Sequence, residues 1–231
     1  MPDLSLVIQD SADHAAQLIL LCHASGADCA SLLPLGVRLS EAFPQATIVS
    51  LQAATRAASA QGFEWFPLAD VSDENRPLRV AQALPALQTA VRDWQQRSGV
   101  SAAATALIGL SQGAEMVLEL SKLQPMLASR VLAMGGRFTT LPDVPPAVTT
   151  LHLLHGKQDA LTPYSHSVTA AHHLLGLGCD ITAEVLPFVG HELHPDLIEL
   201  AITKLSTHIA RHLWTAAQEA APNDKGTNAS D

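Results

Sequence analysis

Five residues, Gly109-Leu110-Ser111-Gln112-Gly113, constrain this chain more than any others. The run before them, 102–110, is apolar, and from Ala114 onward apolar residues recur at helical spacing. A serine between two glycines at such a junction predicts a sharp strand-to-helix turn. A Cβ at either glycine would collide with the neighbouring strand or helix, and the serine is held in strained backbone geometry. Its hydroxyl then stands above a sheet edge at a helix N-terminus, where free N–H groups and the helix dipole favour developing negative charge.

The rest of the chain supplies what such a turn must sit in. Short apolar runs at 18–22, 46–51, 130–134, 149–154 and 181–186 read as strands. Helical spacing covers 31–43, 77–97, 114–123, 163–177 and 197–213, with Leu32, Leu35, Leu39 and Phe43 marking one face of the first. Strands and long helices alternate throughout, so the expected class is α/β. Its centre is a mostly parallel sheet of six or seven strands with helices on both faces. The stretch 52–75 has no period and is long for a compact domain, which marks it as functional. We expect one domain over 1–215. The tail 216–231, small, polar and Pro/Gly-containing, is expected to be disordered.

Composition excludes several functions. Among 231 residues, 48% are hydrophobic and 15% charged, too apolar for a disordered chain. Asp and Glu number 22 against 13 Lys and Arg, a net charge of −9 that disfavours nucleic acid and anionic lipid as partners. No apolar run approaches the ~18 residues needed to span a bilayer, so stable membrane insertion is not expected. The N-terminus carries Asp3, Asp10 and Asp13 with no Lys or Arg before Gln17, unlike a secretory signal. Cys22, Cys29 and Cys179 suggest neither a disulfide framework nor a zinc site, and a cytoplasmic location is the expectation.

A serine hydroxyl is a weak nucleophile until a base takes its proton and a third group orients that base. On this architecture the partners follow in the order acid, then histidine. Asp159, in His155-Gly156-Lys157-Gln158-Asp159, follows the run 149–154. His191, in Val189-Gly190-His191-Glu192, follows the run 181–186. Both stand at carboxyl ends of strands, the edge that carries Ser111. The reading is a catalytic triad of Ser111, Asp159 and His191. The oxyanion donors are the backbone N–H of Gln112 and, from the turn after the first apolar run, that of Ser25, with Ala24 as the alternative.

These motifs resemble the α/β-hydrolase carboxylesterases related to acyl-protein thioesterases and lysophospholipases. The carriers are Gly109–Gly113 with Gln after Ser, Trp65-Phe66 in the long loop, the segment 155–159, and Gly190-His191. The resemblance covers 18–213 and implies hydrolysis of carboxylic esters or thioesters without metal or cofactor. The family's first turn is usually His-Gly-x-Gly-Asp, whereas this chain reads His23-Ala24-Ser25-Gly26-Ala27-Asp28. The expected substrate pocket is lined by Trp65, Phe66 and Leu161; the other reading of Trp65 and Phe66 is a plug that buries the long loop on the sheet.

Other clusters are weaker. His191 and His194 are three apart with Pro195 following, which is not the zinc spacing of four on one helical face. His208 and His212 lack a third ligand, and Gly135-Gly136 lacks the spacing of a dinucleotide fingerprint. The expected function is a serine hydrolase of short to medium acyl esters, acting through an acyl-enzyme on a small-molecule ester or thioester. Acyl-protein thioesterase or lysophospholipase activity is the alternative. A non-catalytic binding protein on the same fold is the reading from another class, and a homodimer is compatible with either.

Overall fold

The computed structural model describes residues 4–11, 15–58, 62–146 and 148–210. Its centre is a seven-stranded sheet. In chain order the strands and helices are β1 (Leu6–Gln9), β2 (Gln17–Cys22), α1 (Leu33–Ala42), β3 (Ala46–Leu51), β4 (Thr55–Arg56), β5 (Phe63–Glu64) and α2 (Arg76–Ser98). There follow β6 (Thr105–Leu110), α3 (Gln112–Leu120), β7 (Arg130–Met134), β8 (Thr150–Gly156), α4 (Ser165–Gly176), β9 (Ile181–Leu186) and α5 (Pro195–Thr207). The sheet order is β1-β3-β2-β6-β7-β8-β9. Every neighbouring pair is parallel except β1 with β3.

Side-chain alternation along each strand builds two apolar layers. In β2, Leu18, Leu20 and Cys22 face a core that includes Leu87 and Val91 of α2, Met116 and Val117 of α3, and Leu174 of α4. Ile19 and Leu21 face the opposite core, with Leu35 and Leu39 of α1 and Leu197 and Ile198 of α5. Both faces are therefore covered, which is why these strands read as unbroken apolar runs.

Two elements depart from the sequence expectation. The edge strand β1 is antiparallel and only partly buried, so it lacks the apolar run that marks the inner strands. The long loop contains a two-residue hairpin, β4 with β5. The last helix ends at Thr207, where His208 turns to extended backbone, short of the expected 213. The expected tail 216–231, His212 and 211–213 lie outside the described residues. Among the described residues no helix is long and apolar enough to cross a membrane.

A buried histidine in the sheet has a consequence for stability. His152 of β8 is fully buried, with Nδ1 2.9 Å from Thr182 Oγ1 and its ring edge-on to His208. Burial, then the neighbouring His208 and Arg130 charges, push it from 6.5 down to about 3. Above pH 6.5 neither the folded nor the unfolded chain protonates it. As pH falls from 6.5 to about 3 the unfolded chain binds a proton that the folded chain refuses. That histidine therefore removes up to ~1.4 kcal/mol of stability per pH unit. The urea midpoint is expected to fall across this window, and His152→Asn to flatten the slope.

Candidate active site

The elbow forms where β6 runs directly into α3. Ser111 between them has φ 56° and ψ −116°, a backbone conformation that costs energy for a non-glycine residue. Its N–H donates to Met134 O at 2.9 Å, tying the turn to β7. A Cβ on Gly113 would lie 2.1 Å from Cys22 O, and one on Gly109 would lie 2.3 Å from Gly113 O. The two glycines are thus required by close backbone approach, on both sides of the serine.

Ser111, Asp159 and His191 come together as the sequence order suggests. Ser111 Oγ lies 2.7 Å from His191 Nε2, and His191 Nδ1 lies 2.7 Å from Asp159 Oδ2. The carboxylate beside Nδ1 fixes the proton there, leaving Nε2 to accept from the serine hydroxyl. Asp159 Oδ1 accepts the N–H groups of Leu161 and Thr162 at 2.9 and 2.8 Å. Burial works to raise this carboxyl, but the Thr162 N–H and His191 outweigh it and hold it below its ordinary value. It stays an anion.

Two contributors were not assigned from sequence. His155, wholly buried, places Nε2 2.7 Å from Thr162 O and 3.2 Å from Asp159 Oδ2, with Nδ1 2.8 Å from Ser167 Oγ. Two acceptors face Nε2, so it carries the proton, and Ser167 donates to Nδ1. Burial lowers the affinity of this ring for a second proton. His155 therefore clamps the Asp159 loop to α4 as a neutral ring. Gly135, at φ 59°, ends β7 directly beneath the Asp159–His191 pair, where a Cβ would stand 3.3 Å from Asp159 Oδ2. His155 belongs to the segment 155–159, and its position one residue before a glycine at a strand end is the sequence signal for it.

Gln112, first residue of α3, has an N–H with no carbonyl four residues back in the helix. Ser25 lines the same cleft, on a turn braced by Gly26 N–H to Phe63 O at 2.8 Å and Phe63 N–H to Ala27 O at 2.7 Å. The preceding His23 ring accepts the Ala53 N–H at 3.2 Å. Burial lowers the His23 pKa, against the opposing hydrogen bond to Ala24 O, and favours the neutral ring.

The cleft above Ser111 and His191 holds about 380 Å³ and is walled in part by Leu68, Leu161 and Pro163. Leu161, 76% exposed, forms its rim as expected. Trp65 and Phe66 are not in its wall, which corrects the pocket expected from sequence. Phe66 is 1% exposed and belongs to the core. Gln112 holds this dipeptide through its side-chain amide: Trp65 N–H donates to Oε1 and Nε2 donates to Phe66 O, both at 2.8 Å. The Trp65 indole N–H donates to His23 O at 2.8 Å. The pair packs the loop onto the sheet, because the space beside α2 and α3 needs apolar filling. The loop residues that do reach the cleft are Leu68 and Asp73, joined by Arg76 at the start of α2.

Elsewhere, a cavity of about 250 Å³ at the opposite sheet edge is lined by Gln17, Thr105 and Arg130 among others, with no His, Asp or Glu to act as a base. His194 caps α5 by accepting the Asp196 N–H. Among the described residues no group of three or more His, Cys, Asp or Glu is placed to hold a metal.

Comparison with known proteins agrees with this architecture. The model of the phospholipase/carboxylesterase family matches residues 4–209. The chain belongs to that family. It is 37% identical over 211 residues to an Escherichia coli strain K12 esterase, YpfH, covering 91% of each chain. The solved structure of esterase PE8 is similar with a TM-score of 0.78 at 27% identity, over 88% of this chain and 96% of that one. A carboxylesterase from Mesorhizobium loti shares the fold, with a TM-score of 0.72 at 19% identity over 86% and 92% of the two chains. Membership places this chain among the carboxylesterase-type hydrolases of the α/β-hydrolase fold.

Proposed function

We propose that this esterase cleaves carboxylic esters of short to medium acyl chain through an acyl-enzyme on Ser111. The observation that carries the reading is the unbroken hydrogen-bonded line from Asp159 through His191 to Ser111, 2.7 Å at each step, at the floor of an open cleft. Ser111 Oγ attacks the acyl carbon as its proton passes to His191 Nε2. The carbonyl oxygen becomes an oxyanion held by the N–H groups of Gln112 and Ser25. The bond to the leaving alcohol breaks, and the alcohol oxygen takes the proton from Nε2. Water then attacks the acyl-enzyme, giving a proton to Nε2. The bond to Oγ breaks, Oγ recovers the proton, and the carboxylic acid leaves.

Apolar walls of only a few side chains support a modest acyl length, as does the short connection 139–146, too small for a large lid. The test is hydrolysis of p-nitrophenyl esters from acetate to palmitate, alongside labelling by a fluorophosphonate. Expected results are stoichiometric labelling and rates that fall steeply beyond the middle of the series. A strict preference for palmitate overturns the acyl-length reading. No labelling and no turnover overturns the catalytic one and leaves a binding protein on this fold.

Asp159 carries a separate prediction. Asp159→Asn keeps the shape but permits the wrong imidazole tautomer, and kcat is expected to fall about 10⁴-fold. Steady-state kinetics on p-nitrophenyl butyrate check it. A loss of only a few-fold would mean that another group orients His191.

A further inference from the structure

The chain carries a net charge of −9, yet two guanidinium groups line the cleft that holds Ser111. A neutral ester needs neither. Arg76, the first residue of α2, pairs with Glu115 Oε2 at 3.0 Å, and Glu115 lies one turn beyond Ser111 on α3. Glu115 is buried and Arg76 half-buried, with side-chain exposures of 5% and 20%. Arg76 Nε and Glu115 Oε1 have no hydrogen-bond partner among the described residues.

Arg137 is held differently. It follows Gly135-Gly136 at the end of β7, and its Nη2 pairs with Asp73 Oδ1. Asp73 sits on the long loop with its side chain 79% exposed, whereas Arg137 is largely covered. An exposed ion pair is weak and exchanges readily. Asp73, Arg76, Arg137 and His166 also line an adjoining cavity of about 430 Å³ with Thr139 and Thr140, so the cleft continues past the two arginines. Burial, then the Arg137 charge, lowers the His166 pKa and favours the uncharged ring there.

We propose that the cleft takes an ester that bears a carboxylate as well as the scissile bond, and that Arg137 binds this carboxylate in place of Asp73. The inference rests on the esterase reading and names the substrate class of that same site. Arg76 is tied to buried Glu115, whose carboxylate offsets its charge, so Arg137 is the anchor. The planar fork of Arg137 suits a carboxylate, and the exposed Asp73 keeps it oriented while the cleft is empty.

The test uses the full chain and two matched pairs of esters, followed by pH-stat. In one pair the charge is on the acyl part, ethyl hydrogen glutarate against ethyl valerate. In the other it is on the alcohol part, 3-butyryloxypropionate against propyl butyrate. Wild type is expected to favour the charged member of at least one pair in kcat/KM. Arg137→Gln is expected to cut that preference by about tenfold to a hundredfold, the worth of a charge-assisted hydrogen bond. Asp73→Asn, which removes the competing carboxylate, is expected to raise it. A strut that merely held the loop would shift both members of a pair alike in both variants. Arg76 is left intact because its removal strands Glu115 in the interior. Equal kcat/KM for both members in wild type, or an unchanged ratio in Arg137→Gln, overturns this proposal while leaving the esterase reading standing. No turnover of any of the four esters overturns both.

Discussion

Ser111→Ala is expected to lower kcat on p-nitrophenyl butyrate by about 10⁵–10⁶-fold, the scale of losing the nucleophile of a triad that works as a unit. The fold is expected to survive. Among the described residues the lost hydroxyl makes one hydrogen bond, to His191 Nε2. Removing such a bond at a half-buried position costs about 1 kcal/mol. Alanine meets the same backbone strain at φ 56° as serine does, so that term is unchanged. A shift in melting temperature of only a few degrees, on the order of 2–4 °C per kcal/mol for a domain of this size, is therefore expected. Thermal melts read beside kinetics separate the two effects. Retained turnover in a variant purified free of other esterases would remove Ser111 from the mechanism.

Gly113→Ala is expected to be the most damaging single methyl group added to the elbow. Its Cβ would sit 2.1 Å from Cys22 O and 2.7 Å from His23 O. Neither is a flexible side chain that swings aside. Cys22 belongs to β2, which is hydrogen-bonded to β3 on one side and β6 on the other. Relief requires α3 to back away from the sheet, and overpacking against fixed backbone costs about 3 kcal/mol or more. Such movement carries the Gln112 N–H and Ser111 with it, and a displacement near 1 Å costs about 10²-fold in rate. The measured outcome is a lower melting temperature together with loss of ester hydrolysis. Gly176→Ala is the control, since an added Cβ there meets nothing within 4 Å and its melting temperature is expected to hold or rise. Equal behaviour of the two variants would mean that the elbow is looser than its contacts imply.

These two residues also show how much of the site was legible beforehand. Gly109, Ser111 and Gly113 are neighbours in sequence, and the collisions that demand glycine arise in the strand and helix that meet there. The apolar runs of the inner strands are visible because both faces are buried, and the triad order follows from strand ends along one edge. The strand β1 escaped because an antiparallel edge strand buries one face only in part, leaving no unbroken apolar run. Trp65 and Phe66 admit two readings for a related reason. Aromatic residues suit a pocket wall and a core plug equally, and only the contacts with Gln112 and His23 choose between them.

What the sequence by itself determined is therefore local: an α/β alternation, an elbow at Ser111, and an acid and a histidine placed after later strands. Each depends on periodicity or sterics within a few residues. The tertiary structure alone decided what faces the cleft. Arg76 meets Glu115 across 39 positions, and Arg137 meets Asp73 across 64. The closure of Asp159 on His191 spans 32. His155 joins the site because β8 delivers its ring under Asp159, while β7 brings Gly135 beneath the same hydrogen bond. No short-range pattern encodes such meetings, because they depend on which strands the sheet sets side by side and how the long loop settles over their ends.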